Sequence, residues 1–276
     1  SYNIDGHQWA LALDAATQVS WYRNDLITSL PKSWDDLLQI SQKKKVIWPL
    51  KPVHAISSFY SIYNNITEEF EPSNKNFIQK NFGIKTLQMM KQISQYLPSE
   101  CFDMDPIKTA EILSENNDFF YSPYTYGFSN YSRKGYRKNL LTYGNVIDLS
   151  GKGPCGTHLG GTGIAISNKS KNKELALEYS YWIAGSECQQ TIFYTSGGQP
   201  GNSDAWENNN INFETNNFFK NTRLTLDQAW IRPRHNGYMK FQDESGDIIN
   251  EYLQSNVNEV KVIDKLKLMY TESFEE

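Results

Sequence analysis

The sequence is short of cysteine, of basic excess and of long apolar runs, and each shortage removes a class of protein. Only Cys101, Cys155 and Cys188 occur, so at most one pair can bridge and a small disulfide-stapled fold is excluded. Lys plus Arg total 27 against 31 Asp plus Glu, a formal charge of −4, which disfavours a nucleic-acid protein held by bulk positive charge. No run approaches the roughly 20 apolar residues needed to cross a bilayer, and mean hydropathy is −0.61; a membrane-embedded chain is excluded. Catalytic signatures are also missing. There is no Gly-x-Ser-x-Gly, no His-Glu-x-x-His and no Walker-type loop.

What is present is ordinary core material and an excess of rings. Of 276 residues 39% are hydrophobic and 21% charged, with 7 Trp and 17 Tyr. That composition supports one large or two modest folded units rather than disorder. Flat rings with polar tips suit both cores and sugar faces. Short apolar segments alternate with helical patterns, which predicts an α/β architecture. Strands are expected at Gln8–Leu13, Val19–Tyr22, Val46–Leu50, Asp118–Tyr121, Thr142–Leu149 and, as a buried strand, Ile164–Ile166. Helices are expected from Trp34 behind a Ser33 cap with Asp35 and Asp36 in the first turn, and over 55–63, 77–97, 108–113, 213–226 and twice within 243–270. One long helix is expected over 172–195. Loops are expected at 64–76, 122–139, 151–161 and 232–238.

Candidate chemistry is sparse. Cys155-Gly156-Thr157-His158 lacks the two further ligands zinc requires; a Cys155 nucleophile served by His158 or His235 would make the chain an enzyme. Gly160-Gly161-Thr162-Gly163 precedes a strand rather than a helix, which argues for a tight backbone crossing and against a phosphate loop. Asp14, at a strand end, reads either as an acceptor for a ligand or as a strand-end cap or internal partner of Arg232 or Arg234.

Taken in order, four segments resemble the extracellular solute-binding proteins of ABC transporters of the maltose-binding-protein type. His7-Gln8-Trp9-Ala10-Leu11-Ala12-Leu13-Asp14, running on to Trp21-Tyr22-Arg23-Asn24-Asp25-Leu26, resembles that family's first passage between lobes. Leu30-Pro31-Lys32-Ser33-Trp34-Asp35-Asp36-Leu37 is similar to its Pro-Lys-Thr-Trp-Glu-Glu helix start. Gly160-Gly161-Thr162-Gly163-Ile164-Ala165-Ile166-Ser167, then Asn172 to Tyr179 and Gly197-Gly198-Gln199-Pro200-Gly201, resembles the return passage and the helix after it. Ile231-Arg232-Pro233-Arg234 looks like a late pocket segment.

The resemblance implies a two-lobe periplasmic-binding-protein type II fold with the first lobe incomplete, since members carry about another hundred residues before the point where this sequence starts. Residues 1–14 and 163–204 would be the remnant of lobe one, and 15–162 with 205–276 lobe two. It implies a non-enzymatic receptor without cofactor or metal, periplasmic or extracellular and membrane-anchored as a lipoprotein, its signal and anchor outside this sequence. The receptor would deliver a small solute, a sugar or oligosaccharide, to the membrane subunits of an ABC importer, with no nucleic-acid partner. Self-association through the incomplete lobe is expected. The alternatives are a receptor for an iron chelate, a polyamine or a peptide, with the tyrosines at 121–126 as iron ligands, or a non-transport binding module.

Position within the resemblance nominates the ligand contacts. Asp14, Thr17 and Gln18 lie at the first crossing. Trp48 and Lys51 follow a lobe-two strand. Tyr124 and Tyr126 follow Tyr121, with Ser122-Pro123 expected to present Tyr124 on a loop. His158 and Gly160 lie at the second crossing, and Arg232 and Arg234 on the late loop, where a guanidinium fork can hold two ligand oxygens.

Overall fold

A computed structural model describes residues 2–27, 29–67 and 78–275. The expected loop over 68–76 and the expected helix start at Phe77 lie outside the described residues. The strands are β1 (Asn3–Ile4), β2 (His7–Gln8), β3 (Leu11–Ala12), β4 (Ala16–Tyr22), β5 (Tyr121–Tyr126), β6 (Thr142–Gly144), β7 (Leu159–Gly160) and β8 (Gly163–Ile164). The helices are α1 (Trp34–Gln42), α2 (Pro52–Ile66), α3 (Lys80–Ser94), α4 (Pro106–Glu115), α5 (Lys173–Ala184), α6 (Ser186–Cys188), α7 (Ser203–Glu207), α8 (Asn209–Glu214), α9 (Phe218–Asp227), α10 (Tyr238–Gln254) and α11 (Glu259–Glu272).

The strand β4 organises the larger body. It lies between β5 and β6, and β7 pairs with its first two residues, all antiparallel. Val19 and Trp21 on β4 are buried in a cluster with Tyr143, Phe218, Phe219 and Trp206. A second cluster, with Trp48, Phe59, Tyr63, Ile249 and Leu266, fills the space among α2, α3, α10 and α11. Gly246 on α10 makes the crossing with α2 close: a Cβ there would stand 2.6 Å from the Pro52 carbonyl oxygen.

Several elements follow their local chemistry. Asp36 Oδ2 accepts from the Ser33 N–H while Ser33 Oγ accepts from the Asp36 N–H, the reciprocal capping box that starts α1. Pro106 opens α4 behind Asp105, whose carboxylate caps the Lys108 N–H. Arg23 ends β4 buried, and its five N–H groups are all used, on Asp25, Asn117 and the carbonyls of Leu113 and Asn116.

Other elements depart from the sequence expectations. Val46–Leu50 is buried but makes only a single parallel bridge, Val46 to Tyr121. Pro49 has no N–H to give, and the segment instead satisfies itself through Tyr121, Cys101 and the Asn250 amide. The strand expected at 118–121 sits later, at β5, so Tyr124 is on a strand and not a loop. The pairing slips between Val19 and Trp21, and Tyr124 has φ +43°. Pro123 and Tyr124 therefore lie at a β-bulge on the edge strand β5, settings in which a strand tolerates proline. Ile164 is half-buried and Ala165 exposed, because β8 pairs with β3 alone. The long helix expected over 172–195 breaks at Gly185, whose ψ of 155° is extended, and resumes as α6 and a π-helical turn over Gln189–Phe193.

The smaller body consists of β1–β2, β3–β8 and α5. Its apolar surface is poorly covered: Trp9 is 64%, Leu175 66% and Tyr181 62% exposed. Residues 189–206, by contrast, join the larger body. Gln199 links the Ser129 N–H to the Ala15 and Gly127 carbonyls, and Tyr194 and Trp206 belong to the β4 cluster. No described helix is long and apolar enough to cross a membrane.

Candidate functional site: the cleft at the paired crossings

The two passages between the bodies run side by side. Leu11 and Ala12 pair with Ile164 and Gly163, and further on Ala16 and Thr17 pair with Gly160 and Leu159. At the waist of this ribbon the Leu13 N–H donates to the Thr162 carbonyl at 2.9 Å, and the Thr162 N–H donates to Asp14 Oδ1. Gly161 has φ +126°, and a Cβ there would lie 2.6 Å from the Asp14 carbonyl oxygen. The glycine run is thus a tight crossing, and Asp14 is its internal clasp.

Beside the ribbon lies a cleft of about 480 Å³. Its walls come from the first residues (Tyr2, Ile4), the second crossing (Leu159, Gly160, Gly161) and the segment 231–239. The start of α10 is fixed there by Gly237, where a Cβ would stand 2.2 Å from the Ser273 carbonyl oxygen at the end of α11. His235 stacks on Phe274 at 3.8 Å and shares a hydrogen bond of 2.7 Å with Ser273 Oγ.

Apart from Asp14, the nominated residues divide into three groups. Gly160, Arg232 and Arg234 line the cleft. Tyr126 and His158 lie just behind it. Gly160 exists so that Tyr126 can lie against β7, since a Cβ there would stand 2.8 Å from the ring. His158 is 3% exposed, stacks on Trp230 at 5.1 Å and meets Ser57 Oγ through Nδ1 at 3.3 Å. Burial, with the Arg232 charge nearby, pushes its pKa down to about 3, so the ring is neutral. Burial pushes the Tyr126 hydroxyl up to about 12, against the opposing pull of Arg232.

The third group is not brought to the cleft. Gln18 is sealed: its amide donates to the Tyr124 carbonyl (2.6 Å) and Ser58 Oγ (3.1 Å) and accepts from Ser61 Oγ (2.5 Å). Thr17 donates to Thr157 Oγ1 or the His158 carbonyl. Trp48 is fully buried, gives its Nε1–H to Ser58 and faces Tyr124 at 6.0 Å. Tyr124 is 1% exposed with no partner for its hydroxyl, and burial raises that hydroxyl far above its ordinary range. Lys51 is exposed at the start of α2. The expectation that Ser122-Pro123 presents Tyr124 to a ligand is corrected by the bulge, which turns the ring into the core beside Trp48.

Sequence reasoning passed over Tyr238, which lines the cleft as the first residue of α10. The helix was expected to begin only at Asp243. The signal was Gly237 followed by apolar residues at helical spacing, Tyr238, Phe241, Ile249 and Tyr252, interrupted by Ser245 and diluted by the intervening acids. The nucleophile reading gains nothing. The Cys155 thiol accepts from Asn65, burial raises its pKa, and the polar contacts of His158 and His235 go to Ser57 and Ser273. All three cysteines are free. Among the described residues no group of three His, Cys, Asp or Glu side chains that could hold a metal forms, and Tyr121 and Tyr124 sit in the core cluster and do not line the cleft.

Scanned against sequence-family models the chain matches none, and no curated protein matches it by sequence. Its structure does match solved ones. Maltose-bound MalE3 of T. maritima superposes with a TM-score of 0.83 at 13% identity, over 98% of this chain and 73% of that one. An ABC-transporter solute-binding protein from Thermotoga lettingae, bound with α-D-tagatose, gives 0.80 at 14%, over 99% and 74%. One from Agrobacterium radiobacter in complex with ribitol gives 0.75 at 18%, over 99% and 72%. The chain therefore has the two-lobe fold of the MalE-like solute-binding proteins of ABC transporters, over roughly the three quarters of their length that it spans.

Proposed function

We propose that this protein is a non-enzymatic receptor that binds a sugar or polyol in the cleft beside the paired crossings. The observation that carries the reading is the convergence of the second crossing and the segment 231–239 on one cavity of about 480 Å³, with Gly160, Arg232 and Tyr238 in its wall. Chain passages that pair as a narrow ribbon make a hinge about which two bodies can close on a solute, and the structural neighbours hold maltose, tagatose and ribitol. In this reading residues 1–14 and 163–188 belong to one lobe, and 15–162 with 189–276 to the other, the expected bound at 204 moving because Tyr194, Gln199 and Trp206 pack on the β4 body. Arg232, Arg234 and Gly160 contact solute, Tyr126 and His158 support the floor, and Asp14 holds the hinge.

The same reading places the protein outside the cytoplasmic membrane, as a periplasmic or anchored extracellular receptor that hands solute to an ABC importer. The exposed apolar face of α5 and β3–β8 is then the surface through which copies would self-associate, and sedimentation of the purified chain measures that directly. A thermal-shift screen against mono- and oligosaccharides, polyols, polyamines, peptides and iron chelates tests the receptor class. A ligand at about 100 times its Kd adds about 2.7 kcal/mol to stability. A raised midpoint with a sugar or polyol is expected. A rise confined to polyamines, peptides or iron chelates would overturn the assignment.

A further inference from the structure

The wall of the cleft is rich in donors and cations and contains no acid. Arg232 and Arg234 both line it, and its lining includes no Asp or Glu. Arg232 gives one N–H to Gln242 Oε1 at 3.2 Å, and Arg234 gives one to the Asn3 carbonyl at 3.1 Å. A guanidinium has five N–H groups, so most of each fork is open. Among the described residues the ion pairs are made by Arg23, Lys80, Arg137 and Arg223; neither cleft arginine has a counter-charge.

Two further features point the same way. The Tyr238 hydroxyl belongs to a side chain that is 1% exposed, stands in the cleft wall and has no partner. A buried hydroxyl without a partner is costly, and a ligand oxygen would relieve it. Tyr238 also begins the 17-residue helix α10, whose first turn has no acidic residue and no side-chain cap. The open N–H groups and positive dipole end of such a helix favour an anion. Asp14, behind Gly161, is already engaged by the Thr162 N–H. His158 beneath Arg232 stays neutral, so it neither adds to nor offsets the arginine charge.

A neutral sugar presents hydroxyl protons as well as lone pairs, and this wall offers cationic donors but no carboxylate to take those protons. We infer that the solute carries an anionic oxygen group (a carboxylate, sulfate or phosphate on a saccharide or polyol frame) held between Arg232, the Tyr238 hydroxyl and the first turn of α10. This inference rests on the cleft being the ligand site.

The test uses matched series on the intact chain: glucose, galactose and mannose, each beside its uronic acid, its 6-sulfate and its 6-phosphate, read by thermal shift and then by titration calorimetry. The anionic members of at least one series are expected to raise the midpoint where the neutral parent does not, and which of the three groups acts identifies the chemistry. Arg232→Gln should weaken the anionic ligand at least 30-fold, with Arg232→Lys keeping part of the affinity and circular dichroism showing both variants folded. Affinity should also fall as salt rises. Neutral parents binding as tightly as their acids would overturn the inference and leave the cleft reading standing. An unchanged affinity in folded Arg232→Gln would overturn the inference as well. A flat result across every series would overturn both.

Discussion

Replacing Gln18 by Leu separates a core residue from a ligand contact. The side chain lies at 0% exposure on β4, and leucine has nearly its volume, so no large cavity opens. The losses are in hydrogen bonds. The Tyr124 carbonyl loses the amide donor at 2.6 Å. Ser58 Oγ keeps the Trp48 Nε1–H at 3.2 Å, and Ser61 Oγ can still donate to the Ser57 carbonyl at 3.0 Å. One buried group is therefore stranded outright, at about 1–3 kcal/mol, and two others are weakened, at about 0.5 kcal/mol each. The sum, about 2–4 kcal/mol, corresponds to a fall in midpoint of about 3–7 °C for a chain of this size. Thermal denaturation with and without a saturating ligand measures both quantities at once. The expected result is a lower midpoint with the ligand-induced increment intact. An unchanged midpoint with the increment lost would place Gln18 in the site and refute the reasoning.

Tyr124→Phe removes a buried hydroxyl that has no partner, so stability in urea should be unchanged or higher by up to about 1 kcal/mol, and a weakened ligand affinity would contradict its place in the core. Gly156 has φ +88°, and a Cβ would lie 2.8 Å from the Asn65 backbone nitrogen, so Gly156→Ala should cost more than about 1 kcal/mol in a denaturant titration; a neutral result would mean that the 148–156 loop is not seated on α2. Burial holds His158 down to about 3 and His54 to about 4, against 6.5 when free. The unfolded chain therefore binds more protons throughout that window, and stability should rise with pH from about 3 to about 6.5. His158→Asn should flatten that slope in part, and an unaltered slope would show that the ring is not buried neutral. Asp25 is held below the usual carboxylate range chiefly by its hydrogen bond from Arg23. Its contribution is present above the unfolded carboxylate range and is lost as pH falls, so Asp25→Asn should lower stability at pH 7 more than at pH 3.

Much of the frame was legible because local chemistry decides it. The Ser33 cap with its acidic first turn and the short helix around 108–113 are features whose partners lie within a few residues; the strand at Val19–Tyr22 was legible from its apolar residues, although its partners β5, β6 and β7 lie far along the chain. The glycine run at 160–163 was rightly read as a backbone crossing, since a Cβ at Gly161 would collide with Asp14. What the sequence obscured depends on partners far away in the chain. Tyr124 looks exposed after Ser-Pro, but a bulge set by pairing with Val19 and Trp21 turns it inward. Trp48 and Gln18 look like ligand contacts because aromatics and amides serve both roles; only Ser58 and Ser61 on α2 show that their polar atoms are already matched. Tyr238 was missed because its helix begins behind a bare glycine, and the reason for that glycine is a carbonyl 36 residues on, at Ser273.

Hydrogen exchange read by mass spectrometry, with and without the best ligand from the matched sugar series, tests the central claim most directly. Solute bound in the cleft should slow exchange in 158–163 and 231–241, where the second crossing and the start of α10 form the wall, and leave the core of α3 and α11 unchanged. Protection confined to α5 and β3–β8, with 231–241 unaffected, would contradict the site.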